Sequence, residues 1–432
     1  MHKLDVHTIE VIRKSSSSLV VKVGGMIIGF IVSIFLGRTI GAEGLGIINL
    51  ANQVVSLLLV FAVLGFTKVI IKDVAIAYSK KDFQTVRDVI YTSYIINGLA
   101  SLVITIVLVF ISKNLAEDVF DIPSLKYPLI VFAIAFTPQI ISRVISAALV
   151  GYKKIWQSNL VDQALSVVIT GSILLILYLS HVQIDVENVA IAYGAGRVAV
   201  TLSMLVYWKY LNRNNQKHKP VFIGNTLFKK SIPLLIVSAS FLISSNADTI
   251  MLGWLSSARE VGLYNIAAKL ALLTSFLLQI TVSTISPKIA VLHERGEKEE
   301  LELLLRRITA GLTWIGLLSL IAFVLLGKFI LGIWGNEFTS AYMILVILSI
   351  GQFFNIASGP IGNILIMTGY EKIIRNITIF TVVLNLVMNY FLIIEFQREG
   401  AAIATSFTTI LNMVICYYYV RKKVGLKIIK YL

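Results

Sequence analysis

Twelve stretches of this chain are each about 20 residues long or longer and nearly free of charge, the length a helix needs to cross roughly 30 Å of hydrocarbon. They run over 19–40, 46–71, 89–112, 127–150, 159–179 and 188–207, then 231–255, 262–289, 308–331, 340–367, 373–394 and 401–420. The chain is therefore expected to be an all-α integral membrane protein. A hydrophobic share of 57% and a charged share of only 14% exclude an ordinary soluble enzyme. The polar, basic start runs into an apolar segment too long for a signal sequence, so no cleavable leader is expected.

The basic residues test the count and the orientation. With twelve spans, one side of the membrane receives 28 Lys and Arg, including Lys68, Lys72, Lys80, Lys81, Arg87, Lys153 and Lys154, and the other side receives six. Cytoplasmic loops are the ones enriched in Lys and Arg, so a multi-pass protein of the cell membrane with both termini cytoplasmic is expected. The net charge of +15 then reflects topology, and no nucleic-acid partner is implied. The one cysteine, Cys416, and five scattered histidines offer no metal-ligand cluster, so no metal or other cofactor is expected.

A repeat organises the spans. Residues 34–57, IFLGRTIGAEGLGIINLANQVVSL, align without a gap to 250–273, IMLGWLSSAREVGLYNIAAKLALL, with eight of 24 positions identical. GYKKI at 151–155 likewise matches GYEKI at 369–373, after the fourth and tenth spans. Six helices recur as six in the same orientation, so two parallel repeats are expected. Residues 1–211 form the N-terminal six-helix lobe, 212–219 a basic cytoplasmic linker and 220–432 the C-terminal lobe. The 34–57 segment becomes an exterior hairpin between helices 1 and 2, restated between helices 7 and 8. Its glycines are read as turn formers.

Ionisable residues within spans are costly in lipid, about 2.5–3.5 kcal/mol on insertion scales, and should face a cavity or a partner. They are Lys22, Arg143, Asp162, Arg197, Asp248 and Lys269. Arg197, about 12 Å into helix 6 with no acid at similar depth on that helix, is the strongest cavity candidate. Lys22 lines the cavity or snorkels to the headgroups. Arg143 either pairs with Asp162 or contacts substrate, and Asp248 and Lys269 lie at matching depth and either pair or face the cavity. Pro138 in helix 4 and Pro360 in helix 10 interrupt corresponding helices and are candidate hinges. No nucleophile with its base, phosphate loop or paired carboxylate stands out.

LGRTIGAEGLGIINLANQ with its second copy, the GYKKI and GYEKI turns and the twelve spans resemble the polysaccharide (O-antigen type) flippases of the multidrug/oligosaccharidyl-lipid/polysaccharide exporter superfamily. The resemblance implies two six-helix lobes forming a V-shaped cavity. It also implies alternating access that carries a polyprenyl-pyrophosphate-linked oligosaccharide from the cytoplasmic to the exterior leaflet. Relatives that flip cell-wall precursors line the cavity with cations on helices 1, 2 and 8. Lys22 and Lys269 fall at such places, and helix 2 carries Gln53 at the repeat position of Lys269. An anionic pyrophosphate suits cations in a low-dielectric cavity, and Asn49, Asn52, Gln53 and Asn265 could hold sugar hydroxyls. Membrane lipids are the surrounding partner, a monomer is expected, and H+ or Na+ is the candidate coupling ion. Two rivals stand beside this reading. One is a cation-coupled multidrug antiporter of the same superfamily, for which Asp248 is the needed acid. The other is a membrane oligosaccharide polymerase or ligase, which would typically need a large exterior loop that this chain lacks.

Overall fold

The computed structural model describes the backbone of residues 6–213 and 219–427, and the side chains from 20 onward except 163 and several between 233 and 244. Of the expected linker 212–219, residues 214–218 lie outside the described residues. All regular structure among the described residues is helical. That is what lipid demands, because a helix satisfies its backbone hydrogen bonds within one segment.

The chain runs through α1 (Val6–Val63), α2 (Phe66–Ser79), α3 (Phe83–Asn114), α4 (Lys126–Gly151), α5 (Ile155–Asn159), α6 (Ser166–Leu179) and α7 (Val186–Leu211). It continues through α8 (Gly224–Leu255), α9 (Ala258–Glu294), α10 (Lys298–Gly332), α11 (Tyr342–Ala357), α12 (Ile361–Met367) and α13 (Glu371–Tyr419). Polar side chains start several of these helices. Asp82 accepts from the Thr85 N–H ahead of α3, Asp185 from the Asn188 N–H ahead of α7, and Ser257 from the Glu260 N–H ahead of α9.

Eight helices among the described residues are long and apolar enough to span a membrane, and nine if α5 and α6, bent by 41° at a π-helical turn, count as one. That is fewer than the twelve expected from sequence, and two helices account for part of the difference. A straight α1 of 58 residues would reach about 87 Å, nearly three bilayer cores. It does not run straight, because Gly41 leaves the helical region at φ 69° and divides it into two arms. Within α13, Gln397 does the same at φ 48°. Each of these helices thus covers two of the expected segments.

Residue contacts divide the chain into two compact units: 1–40 with 50–242, and 41–49 with 243–432. This division falls inside α8 and assigns the start of the second arm of α1 to the second unit.

In the first unit, Phe66, Val69 and Ile70 of α2 pack with Val86, Val89 and Ile90 of α3 and Val144 and Ala148 of α4. A second cluster joins Ile145 and Leu149 of α4 to Val200 and Met204 of α7. In the second unit, Ile289 and Leu292 of α9 meet Leu301 and Leu305 of α10, Ile361 and Leu365 of α12 and Cys416 of α13. The tyrosines of the two GYxKI turns make related bonds: Tyr152 donates to the Asn212 side chain at 2.8 Å, just after α7, and Tyr370 to the Lys423 carbonyl at 3.2 Å, just after α13.

The two copies of the repeated motif meet within the second unit. Ala42 N–H donates to Glu337 at 2.7 Å, so a carboxylate distant in sequence caps the second arm of α1. A Cβ on Gly46 would overlap the Ala258 carbonyl oxygen, and one on Gly262 would overlap that of Ala42. Both glycines sit inside helices, so their role is close backbone approach; of the 34–57 glycines read as turn formers, Gly41 makes the turn and Gly46 does not.

Candidate functional site

In the first unit, Arg197 lies eleven residues beyond the start of α7, about 17 Å along its axis. Its Nη2 donates to the side-chain carbonyl of Asn52 on the second arm of α1. Its Cζ stands 4.7 Å from the ring centre of Phe132 on α4, a cation–π contact. Its Nη1 is buried with no hydrogen-bond partner. No carboxylate forms an ion pair with it among the described residues. A guanidinium has five N–H donors and no acceptor, so this environment leaves positive charge and donor capacity unmet. An anion is the chemical group that completes it. One turn on, Thr201 donates to the Pro138 carbonyl at 2.8 Å and the Arg197 carbonyl at 2.9 Å, fixing α7 against α4 beside the charge.

Arg143 is exposed and makes no ion pair within 4 Å among the described residues. It lines a cavity of about 80 Å³ together with Asp162, Ser146 and Ser158. Asp162 accepts from the Ser146 hydroxyl at 2.7 Å, and Ser146 also bonds Ser158 at 2.6 Å. Arg143 and Asp162 therefore share a cavity without joining directly. Lys22 and Gln53 are half-buried, and neither makes a hydrogen bond among the described residues.

In the second unit, Asp248 of α8 is held by three neutral donors. Tyr264 of α9 donates at 2.6 Å, and Asn389 and Thr405 of α13 donate at 2.7 Å and 2.6 Å. Asn389 also donates to Asn385 at 3.0 Å, while its own carbonyl oxygen is buried without a partner. Lys269, exposed on α9, is not among these partners, and no ion pair joins it to Asp248. Asn49 keeps a buried, unpartnered Nδ2, whereas its repeat counterpart Asn265 donates to the Val261 carbonyl at 2.8 Å.

The candidate hinges differ from each other. Pro138 lies inside a continuous α4, whereas Pro360 stands at the break between α11 and α12, after Gly359 at φ 68°. A proline inside α9, Pro287, was not singled out from sequence. Nor were Tyr264, Asn385, Asn389 and Thr405. The signal for two of them was present: Asn385 and Asn389 are four residues apart in an apolar run, which puts both on one helix face.

Residues 11–293, well over half of the chain, match the family model described as polysaccharide biosynthesis protein, and residues 233–391 match the MatE model. The probable low-salt glycan biosynthesis flippase Agl15 of Haloferax volcanii is 26% identical over 246 residues, covering 56% of this chain and 51% of the relative. The chain spans about half the length of the curated relatives it matches. Among solved structures, lipid II flippase MurJ in an inward closed conformation superposes with a TM-score of 0.75 at 14% identity, covering 95% of this chain and 87% of that one. An inward-facing multidrug resistance MATE family transporter of the MOP superfamily gives the same TM-score and identity, covering 93% and 94%. At 14% identity these likenesses concern the fold, which hosts both kinds of transporter.

Proposed function

The chain belongs to the polysaccharide biosynthesis protein family, and on that premise we propose that it is a lipid-linked oligosaccharide flippase. It moves polyprenyl-pyrophosphate-linked saccharide units from the cytoplasmic to the exterior leaflet by alternating access, as transport and not catalysis. Arg197 carries the reading: a half-buried guanidinium with one buried, unmet donor and no ion-paired carboxylate among the described residues suits an anionic pyrophosphate. Lys22, Arg143 and Lys269 add cations at other points of the path, and Asn49, Asn52 and Gln53 bind sugar hydroxyls. Pro138 and Pro360 act as hinges.

The eight long apolar helices become twelve crossings if α1 and α13 each cross twice, α5 with α6 makes one more, and α8 another. The lobes are then 1–211 and 220–432, joined by 212–219, in two parallel six-helix repeats. The matching bonds of Tyr152 and Tyr370 support that equivalence. The basic-residue asymmetry supports a cell-membrane protein with both termini cytoplasmic, and it is read as a monomer. If H+ or Na+ drives the cycle, Asp248 holds it, with the spare Asn389 oxygen and the Thr405 hydroxyl as further ligands.

The decisive experiment reconstitutes the protein in vesicles with a fluorescent polyprenyl-pyrophosphate oligosaccharide and follows its appearance on the opposite leaflet. The reading fails if the lipid crosses no faster than in protein-free vesicles under any ion gradient. Asp248 and the MatE match favour a second reading, a cation-coupled multidrug antiporter. The same vesicles loaded with a cationic dye test it.

A further inference from the structure

Between the start of α3 and the end of α7, the first unit holds a cavity of about 340 Å³. Its wall carries Arg87, Tyr91 and Tyr94 from α3, Trp208 and Lys209 from α7, and Asn212 just beyond. Two of these side chains have unmet polar atoms: Arg87 Nη1 and Tyr94 Oη are both buried with no hydrogen-bond partner. Unmet buried donors are costly and call for an acceptor.

The neighbouring groups do not supply one. Asp88 accepts through Oδ1 from Gln84 at 2.8 Å and from the Val221 N–H at 2.8 Å, and makes no hydrogen bond or ion pair with Arg87. Asn212 accepts from Tyr152 and donates to the Trp208 carbonyl at 3.0 Å. No ion pair reaches Arg87 or Lys209 among the described residues. The cavity thus presents a guanidinium, a phenol and an ammonium, with no carboxylate on its wall.

Its setting narrows the ligand. Arg87 is four residues into α3 and Lys209 two residues from the end of α7, so the cavity opens at helix ends. Trp and Tyr favour that depth, where a ring meets both acyl chain and headgroup. These ends adjoin loops rich in Lys and Arg, the kind of surface that attracts anionic lipid.

We propose that this cavity binds the phosphate of an anionic phospholipid head group. Arg87 and Tyr94 donate to the phosphate oxygens, Lys209 neutralises the net charge from the rim, and Tyr91 and Trp208 pack against the glycerol and upper acyl carbons. The site is separate from Arg197 and independent of the transport reading.

The test titrates the full-length protein, in neutral detergent, with phosphatidylglycerol, phosphatidylcholine or inorganic phosphate, reading bound lipid by native mass spectrometry and melting temperature in parallel. Phosphatidylglycerol raises the melting temperature saturably and binds at least about tenfold more tightly than phosphatidylcholine. Arg87→Gln weakens it roughly tenfold, as expected for a lost charge-assisted hydrogen bond, and Tyr94→Phe about threefold. Unchanged phosphatidylglycerol affinity in both variants overturns the site, as does equal affinity for phosphatidylcholine. Protection by inorganic phosphate at the same concentrations as phosphatidylglycerol overturns the lipid as occupant. If Arg87→Gln does not fold, Tyr94→Phe, which removes a single oxygen, and the lipid preference of the natural sequence decide.

Discussion

The Arg197 guanidinium is tied to Asn52 through one nitrogen and left open through another. The Asn52 bond and the Phe132 ring orient the group, so its free edge is positioned before any ligand arrives.

Arg197→Ala is therefore expected to lower flipping in reconstituted vesicles by at least about tenfold, the cost of one charge-assisted contact. Membrane insertion and melting temperature should stay near those of the natural sequence. Arg197→Lys should recover only part of the rate, since an ammonium cannot hold Asn52 and a phosphate oxygen with one rigid fork. Unchanged flux in Arg197→Ala removes it from the site.

Asn52→Ala should act in the same direction and more weakly. The charge remains, while its orientation is lost. Measured with Arg197→Ala, the pair should be strongly non-additive, because both changes remove the same contact.

Asp248→Asn keeps the size of the side chain and removes its charge. If a cation drives transport, flipping in this variant should no longer respond to an imposed Na+ or H+ gradient, while gradient-free exchange persists. Asp248→Ala should in addition destabilise the protein by about 1–3 kcal/mol, because Tyr264, Asn389 and Thr405 would lose their acceptor. Thermal unfolding and ion-jump flux measurements separate the two effects.

Asp82, in the loop ahead of α3, offers a pH test outside the membrane. The Thr85 hydroxyl and backbone N–H hold its carboxyl below the usual carboxylate range. A depressed folded-state value contributes stability above the unfolded value, near pH 4, and loses it as pH falls through the folded value. Asp82→Ala should therefore cost about 1 kcal/mol at neutral pH. The gap from the natural sequence should narrow below pH 4 in pH-dependent melting curves.

Particular residues explain how far the sequence alone could reach. Apolar length marks the membrane helices because it follows from the bilayer, which acts on each segment separately. The break at Gln397 falls between the expected spans 373–394 and 401–420, but its place is harder to read: φ 48° is adopted by Gln397 and not by the nearby Gly400. Asp248 was visible as a costly charge, but its donors come from helices that begin ten and more than a hundred residues later. Depth alone leaves Asp248 free either to pair with Lys269 or to face the cavity. Depth does not fix which way a side chain faces around the helix, and Asp248 instead meets Tyr264, Asn389 and Thr405. The Arg87 and Tyr94 cavity gave no sequence signal, since Arg87 counts simply as one more basic loop residue until its neighbours are known.

Gly46→Ala and Gly262→Ala should each destabilise the protein by about 1–3 kcal/mol, or prevent it from folding, because the new methyl meets a carbonyl oxygen that belongs to rigid backbone. Melting temperature in detergent checks both. Alanine at either site without loss would show that the two helices can separate freely.

That reciprocal contact also bears on how the two copies can diverge. Each glycine accommodates backbone from the other copy, so a change in one alters the mould into which the other must fit. Neither copy can drift alone at these positions, however far the surrounding residues separate. Chimeras that exchange one half of the chain with a relative should therefore succeed only when the donor's own motif still complements the copy that stays behind.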